Sequence, residues 1–302
     1  MRSKLLIVLV PLLAALVASQ SRACSQCMCG APFPADALGG VQPSQLRFGL
    51  EDRYLSKSNA LDEAPGTEQE REHRISGYAL WRASDRVALL ARLPYNVKRI
   101  TAAPLGEAAS TETSKGLGDA ELSGLIGLAR SSGTHAAVLG MVLGVAAPTG
   151  SSNAKDPLGQ RLDAHLQPST GAWSGTAGVN IGAALVRGMV DGSVLVRANG
   201  TNSHGYRYGN AVLFNVGYTS PATHDVRLLA QVNGRSASRD RLEDGTMGEN
   251  TGGTVVYLSP GVRWQTGLGV DFEGGVQIPV VESLLGVQDE HTTGHIALSV
   301  SR

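Results

Sequence analysis

The stretch "RVALLARLPYNVK", Arg86 to Lys98, decides how the rest of the chain is read. Val87, Leu89, Ala91, Leu93, Tyr95 and Val97 fall on one side of an extended backbone. Arg86, Arg92, Asn96 and Lys98 fall on the other. Side chains alternate faces along a strand, so a period of two with one apolar face marks a strand that is greasy on one side only. The pattern returns in "MVDGSVLVRAN" (Met189–Asn199), "HDVRLLAQVNGR" (His224–Arg235) and "GLGVDFEGGVQIPV" (Gly267–Val280). Such segments run about 10 to 14 residues, whereas strands of soluble proteins average about 5 to 6. Roughly 9 to 11 tilted residues cross a bilayer.

Working outward, strands are expected over 45–56, 73–83, 86–99, 118–130, 135–147, 173–186, 189–200, 207–219, 224–236, 252–265, 268–281 and 291–302. That makes an even set of twelve. Tight connections at Ser84–Asp85, Ser131–Thr134, Arg187–Gly188, Ser220–Thr223 and Thr266–Gly267 alternate with longer polar ones. The long set is 57–72, 100–117, 148–172, 201–206 (the shortest) and 237–251. Bacterial outer-membrane barrels have this sidedness, with short periplasmic turns and long outer loops. A closed sheet is also the only β arrangement that pairs every backbone group in lipid. The expected fold is therefore all-β, a single antiparallel transmembrane β-barrel over 45–302.

The N-terminus supplies the route. Arg2 and Lys4 precede the apolar run Leu5–Ser19, which is too short to span a bilayer as a helix. Small residues follow it, as in a cleaved secretory signal peptide over 1–23. Ser21 and Ala23 suit cleavage before Cys24; cleavage near Ala18 or Ser19 and lipidation of Cys24 are alternatives. The expected location is the outer membrane of a Gram-negative bacterium, with lipid and the barrel-assembly machinery as partners. Residues 24–44 form a Cys-rich periplasmic segment and a Pro/Gly linker. All three cysteines lie there, Cys24, Cys27 and Cys29, in a C-x-x-C-x-C spacing. Three thiolates so placed can converge on Cu(I) or Zn(II), and the plainer reading is a cross-link or a lipid anchor.

Charge is balanced at 26 basic and 26 acidic residues with no basic run, which excludes a nucleic-acid binder. No G-x-S-x-G elbow, nucleotide loop or EF-hand spacing occurs, so no enzyme is expected. The seven histidines are scattered, and His291 and His295 merely share a strand face.

"GLGDAELSGLIGL" (Gly116–Leu128), "VAAPTG" ending at Gly150, "LQPSTGAWSGTAGVNIG" (Leu166–Gly182), "YLSPGVRW" (Tyr257–Trp264) and "VQIPVVESLLG" (Val276–Gly286) together resemble the outer-membrane channels grouped with phenol-degradation meta-pathway transporters. The resemblance implies a barrel that passes small, often hydrophobic, molecules, and it implies no catalytic residue. Two departures stand out. The chain ends on Arg302, not on an aromatic residue, and aromatics make up only 5% of it.

Continuing the alternation inward gives Arg92, Lys98, Glu121, Asp191, Arg197, Arg227, Arg235, Arg263, Asp271 and Glu273 as lumen and selectivity candidates. Arg or Lys facing lipid at mid-depth costs about 2–4 kcal/mol, so these groups are expected inside. There they either brace the barrel in pairs or line a polar passage. The leading expectation is a channel or transporter for small solutes, with selectivity set by lumen charge and long outer loops. The alternatives are a barrel that anchors the Cys segment for a soft metal or redox partner, and a plugged structural barrel. The sequence leaves the solute open, and a homo-oligomer is compatible with it.

Overall fold

The computed structural model describes residues 45–61, 65–132, 136–266 and 268–302, so the expected signal peptide over 1–23 and Cys24, Cys27 and Cys29 lie outside the described residues. The chain folds as one antiparallel sheet of fourteen strands. The first six are β1 (Leu46–Ala60), β2 (Gly66–Arg82), β3 (Val87–Pro104), β4 (Ser110–Leu117), β5 (Ala120–Arg130) and β6 (Ala137–Ala147). Then come β7 (Ser174–Leu185), β8 (Gly188–Asn199), β9 (Ala211–Pro221), β10 (Val226–Ala237) and β11 (Gly253–Gln265). The last are β12 (Val270–Leu284), β13 (Gln288–Glu290) and β14 (Thr293–Ser301).

Two pairs of these strands each make one stave. β3 pairs with β5 through Val87–Arg92 and with β4 through Tyr95–Ala102. β1 likewise pairs with both β14 and β13. Because β1 also pairs with β2, the sheet closes into a twelve-stave cylinder. Leu46 and Arg302 exchange backbone hydrogen bonds at the seam, so both ends of the barrel meet on the side of the tight turns. Closure removes the sheet edge that lipid could not satisfy.

The alternation sorts side chains as the sequence implies. Leu93, Leu122, Leu143, Ile181, Val194, Val216, Leu228 and Ile296 project from the outer wall and are exposed. Aromatic side chains collect near both rims. Trp81, Tyr218 and the stacked Trp264–Phe272 pair lie by the tight turns. Tyr54, Tyr95 and Trp173 lie toward the other end, so the girdles are partial.

Several expected loops are in fact strand. β1 and β2 run on to Ala60 and back from Gly66, which reduces the 57–72 connection to 61–65. β3 and β4 likewise reduce 100–117 to residues 105–109. These hairpins rise beyond the apolar band, where both faces are polar and the alternation that marks a strand in lipid disappears. Conversely, 207–210 is loop, and β9 starts at Ala211. The connections at 148–173, 200–210 and 238–252 remain the long ones, so 201–206 does not mark the shortest.

Glycine has a packing role inside the wall. A Cβ on Gly49 would overlap the Tyr78 ring. Cβ atoms on Gly140 and Gly178 would come within 2.8 Å of Leu125 and Leu195 side-chain carbons. Large inward side chains thus lie along the wall over bare backbone, a use of glycine that suits a narrow barrel.

Candidate functional site: the charged lumen and its inward loop

All ten sequence-nominated charges sit on the inward register of their strands. Arg197 Nη2 meets Glu121 Oε1 at 3.0 Å, and Arg92 lies 3.9 Å from the other Glu121 oxygen. Arg92 also reaches Glu51 at 3.8 Å, and Glu51 pairs with Arg53 at 2.6 Å. The result is a belt of alternating charge from β1 through β3 and β5 to β8. A second group joins Arg263 to Glu273 at 2.6 Å, with His295 on the far carboxylate oxygen at 3.5 Å. Asp271 faces Arg47 at 3.9 Å. Arg235 pairs with Glu290, and Arg227 Nε donates to the Gln265 side chain at 2.8 Å. Asp191 takes a hydrogen bond from Asn215 Nδ2 at 2.8 Å.

Lys98 is fully buried because loop 148–173 folds into the barrel mouth and covers it. Lys98 Nζ donates to the His165 carbonyl at 2.8 Å and lies 3.8 Å from Glu72. Asn96 Nδ2 donates to the Pro168 carbonyl at 2.6 Å, Tyr208 donates to the Ala164 carbonyl at 2.6 Å, and Ser114 donates to that of Leu166. Donors from β3, β4 and the 200–210 connection thus meet carbonyls in and just after a short 3₁₀ turn, Ala164–Leu166. Gln167 knits the loop internally, accepting from Ala154 N and donating to the Leu162 carbonyl, both at 2.7 Å.

The base of the loop explains two motifs noted in the sequence. Thr149 of "PTG" accepts from Ala120 N at 2.9 Å and donates to the Gly118 carbonyl at 3.1 Å. A Cβ on Gly150 would collide with the Leu117 carbonyl. Asp119 of "GLGD" accepts from Thr170 N at 3.0 Å, from Thr170 Oγ1 at 2.5 Å and from Ser169 Oγ. Glycine lets the two backbones touch, and the carboxylate clamps the returning arm of the loop.

Further up, His165, Tyr206 and Asp240 form a cluster the sequence did not suggest. Tyr206 donates to Asp240 Oδ2 at 2.6 Å, and its oxygen lies 3.0 Å from His165 Nε2. His165 is also 3.3 Å from Asp240 and 3.8 Å from Glu70, whose other neighbour is Lys57 at 2.9 Å. Burial and the Lys57 ammonium oppose protonation of His165. The Asp240 hydrogen bond and the Glu70 and Asp163 carboxylates outweigh them and raise its pKa above the usual value. Burial pushes the pKa of Asp240 up, but the His165 contact, the Tyr206 hydroxyl and the Gly209 N–H outweigh it and hold it low.

Below the loop a small polar cavity of about 40 Å³ is lined by Arg74, Arg92, Glu121, Arg197, Asp119 and Tyr208 among others. Its wall carries three guanidinium groups and two carboxylates, so it is polar and dense in ion pairs. Arg74, Glu51, Glu72 and His295 were not nominated, since the first and third lie in a stretch read as loop or at its edge. Among the described residues no group of three or more His, Cys, Asp or Glu side chains is placed to hold a metal ion, and His291 contacts Ser56 and Ser58 at 3.1 Å.

No family model and no curated protein matches the chain. Among solved structures, an outer membrane channel from Pseudomonas putida F1 superposes with a TM-score of 0.68 at 12% identity, covering 90% of this chain and 100% of that one. The translocator domain of the autotransporter NalP from Neisseria meningitidis gives 0.47 at 10% identity, covering 88% and 91%. The P. putida toluene transporter TodX gives 0.43 at 9% identity, covering 90% and 92%. The chain has the fold of a twelve-stranded antiparallel outer-membrane β-barrel.

Proposed function

We propose that this protein is a channel of the Gram-negative outer membrane that admits small solutes, and that loop 148–173 with the charged belt beneath it sets what passes. The observation that carries this reading is the cavity itself. A closed barrel used only as a brace could be packed with apolar side chains at lower desolvation cost. Here the inward face instead keeps a polar pocket of about 40 Å³, enough for ordered water, bounded by Arg74, Arg92, Arg197 and Glu121. Paired charges of both signs at a constriction select by local field and width, since a solute must exchange hydration for these fixed groups. The likeness to the P. putida channel supports the same reading at the level of fold.

The test is single-channel recording of refolded protein in planar bilayers. Discrete conductance steps are expected, with a reversal potential that shifts when a belt charge is neutralised. A correctly folded barrel that gives no steps refutes transport.

A further inference from the structure

The outer wall carries a feature that transport does not use. On β2, β3 and β4, Arg71, Arg99 and Lys115 all point outward and are exposed. Arg71 and Arg99 are direct cross-strand partners, Arg99 pairs with Thr113, and Lys115 pairs with Val97. Directly opposed residues stand about 5 Å apart at Cβ, and like charges so placed repel. Among the described residues of β1 to β4, no carboxylate stands directly opposite them. The outward neighbours are Ser56, Gln69, His73, Thr101 and Thr113, and Arg71 is held only by Gln69, at 2.9 Å. The outward carboxylates nearby are Asp52, lower on β1 and engaged by His73 at 3.2 Å, and Asp289 on β13, which pairs with Ser58 and is separated from Arg71 by β1.

Directly beneath the cations the wall is recessed. Phe48, Leu50, Leu93, Tyr95 and Leu122 rim a shallow, open apolar hollow of about 840 Å³ that crosses β1 to β6. Its floor is made of small residues, Gly77, Ala79 and Ala91. Tyr95 and Leu117, at its upper edge, pair with each other, and Arg99 stands four residues above Tyr95. That is about 13 Å along a strand, the step from an interfacial aromatic residue to headgroup level.

We propose that this face binds a phosphorylated, multiply acylated glycolipid of the outer leaflet, its phosphates on Arg71, Arg99 and Lys115 and an acyl chain in the hollow. Charge complementarity selects the headgroup, because clustered cations at a membrane surface attract anionic lipid. The missing side-chain volume at Gly77, Ala79 and Ala91 accommodates the chain. The proposal rests on the outer-membrane location given above.

The experiment uses the full chain refolded in detergent, with native mass spectrometry and titration against bisphosphorylated lipid A, the same lipid stripped of phosphate, and inorganic phosphate. Barrel integrity is read from heat-modifiable gel mobility and from conductance, which outward-facing substitutions should leave unchanged. Phosphorylated lipid A should bind at least tenfold tighter than the stripped lipid. The R71Q/R99Q/K115Q variant should lose that preference. A second variant, G77V/A91L, should weaken both lipids while keeping the preference; no atom lies within 4 Å of a Cβ built at Gly77, so Val fits there. Equal binding of the two lipids by a folded barrel, or an unchanged triple variant, overturns the proposal. Inorganic phosphate that binds as tightly as lipid A overturns it in favour of a free-anion site. A chain that never forms a detergent-stable barrel fails earlier, at the location itself, and takes this proposal with it.

Discussion

Replacing Asp119 by Ala tests whether the inward loop is a docked element with its own free energy. The carboxylate accepts from Thr170 N, Thr170 Oγ1 and Ser169 Oγ. A hydrogen bond to a charged group contributes about 1.5–3 kcal/mol. The site is partly exposed and the three bonds share one acceptor group, so the sum does not reach three times that figure. A loss of roughly 2–3 kcal/mol is expected, which shifts the docked-to-undocked balance about 30- to 150-fold. Asn96, Lys98, Ser114 and Tyr208 still hold residues 164–168, so the loop should open at its C-terminal arm and not leave the barrel. Amide exchange at Ser169–Gly171 reads this directly, because local opening sets exchange. Protection there should fall by the factor above while the exchange of β-strand amides is unchanged, and open-state conductance should rise or become noisier. Asp119→Asn keeps one acceptor and should lie between. Unchanged exchange at Ser169–Gly171 in Asp119→Ala would refute the clamp, whatever happens to conductance.

The remaining predictions concern charge and the wall. His165, raised above 6.5, contributes docking that is complete below that value and fades as pH rises through its folded pKa. Asp240, held below 3.8, contributes until pH falls through its own lowered value. Channel noise should therefore increase as pH rises above about 6.5; a His165→Gln variant with the same pH profile as the parent would show that this contact is idle. Arg197→Gln leaves Glu121 facing Arg92 at 3.9 Å and makes the lumen one charge more negative. The reversal potential in a KCl gradient should move toward cation preference, and no movement would place Arg197 off the path. Val194→Arg puts a charge on the lipid-facing wall of β8 and should cost about 2–4 kcal/mol in urea unfolding from bilayers. A cost below about 1 kcal/mol would mean that this face does not meet lipid. Gly150→Ala forces a Cβ into the Leu117 carbonyl and should destabilise the loop base by about 1–3 kcal/mol, measured by the same exchange assay at Ala120 and Gly118.

How much was legible can be traced residue by residue. Along Arg86–Lys98 the sequence alone decided strand, face and environment, because the two solvents of a barrel wall impose opposite polarities on alternate residues. The same rule placed Arg92, Glu121, Arg197 and Arg263 inside before any coordinates. It failed above the apolar band, where Glu70 and Glu72 belong to a strand but both of its faces are polar, so no alternation announces it. Tertiary structure alone decided which charges meet, since Arg197 and Glu121 are 76 positions apart and only the barrel's curvature brings them to 3.0 Å. It alone turned "GLGD" and "PTG" from turn-like fragments into a clamp, and sent loop 148–173 into the lumen. Nothing local in that loop specifies its direction: its carbonyls find Asn96, Lys98 and Ser114 only once the wall that carries them has closed.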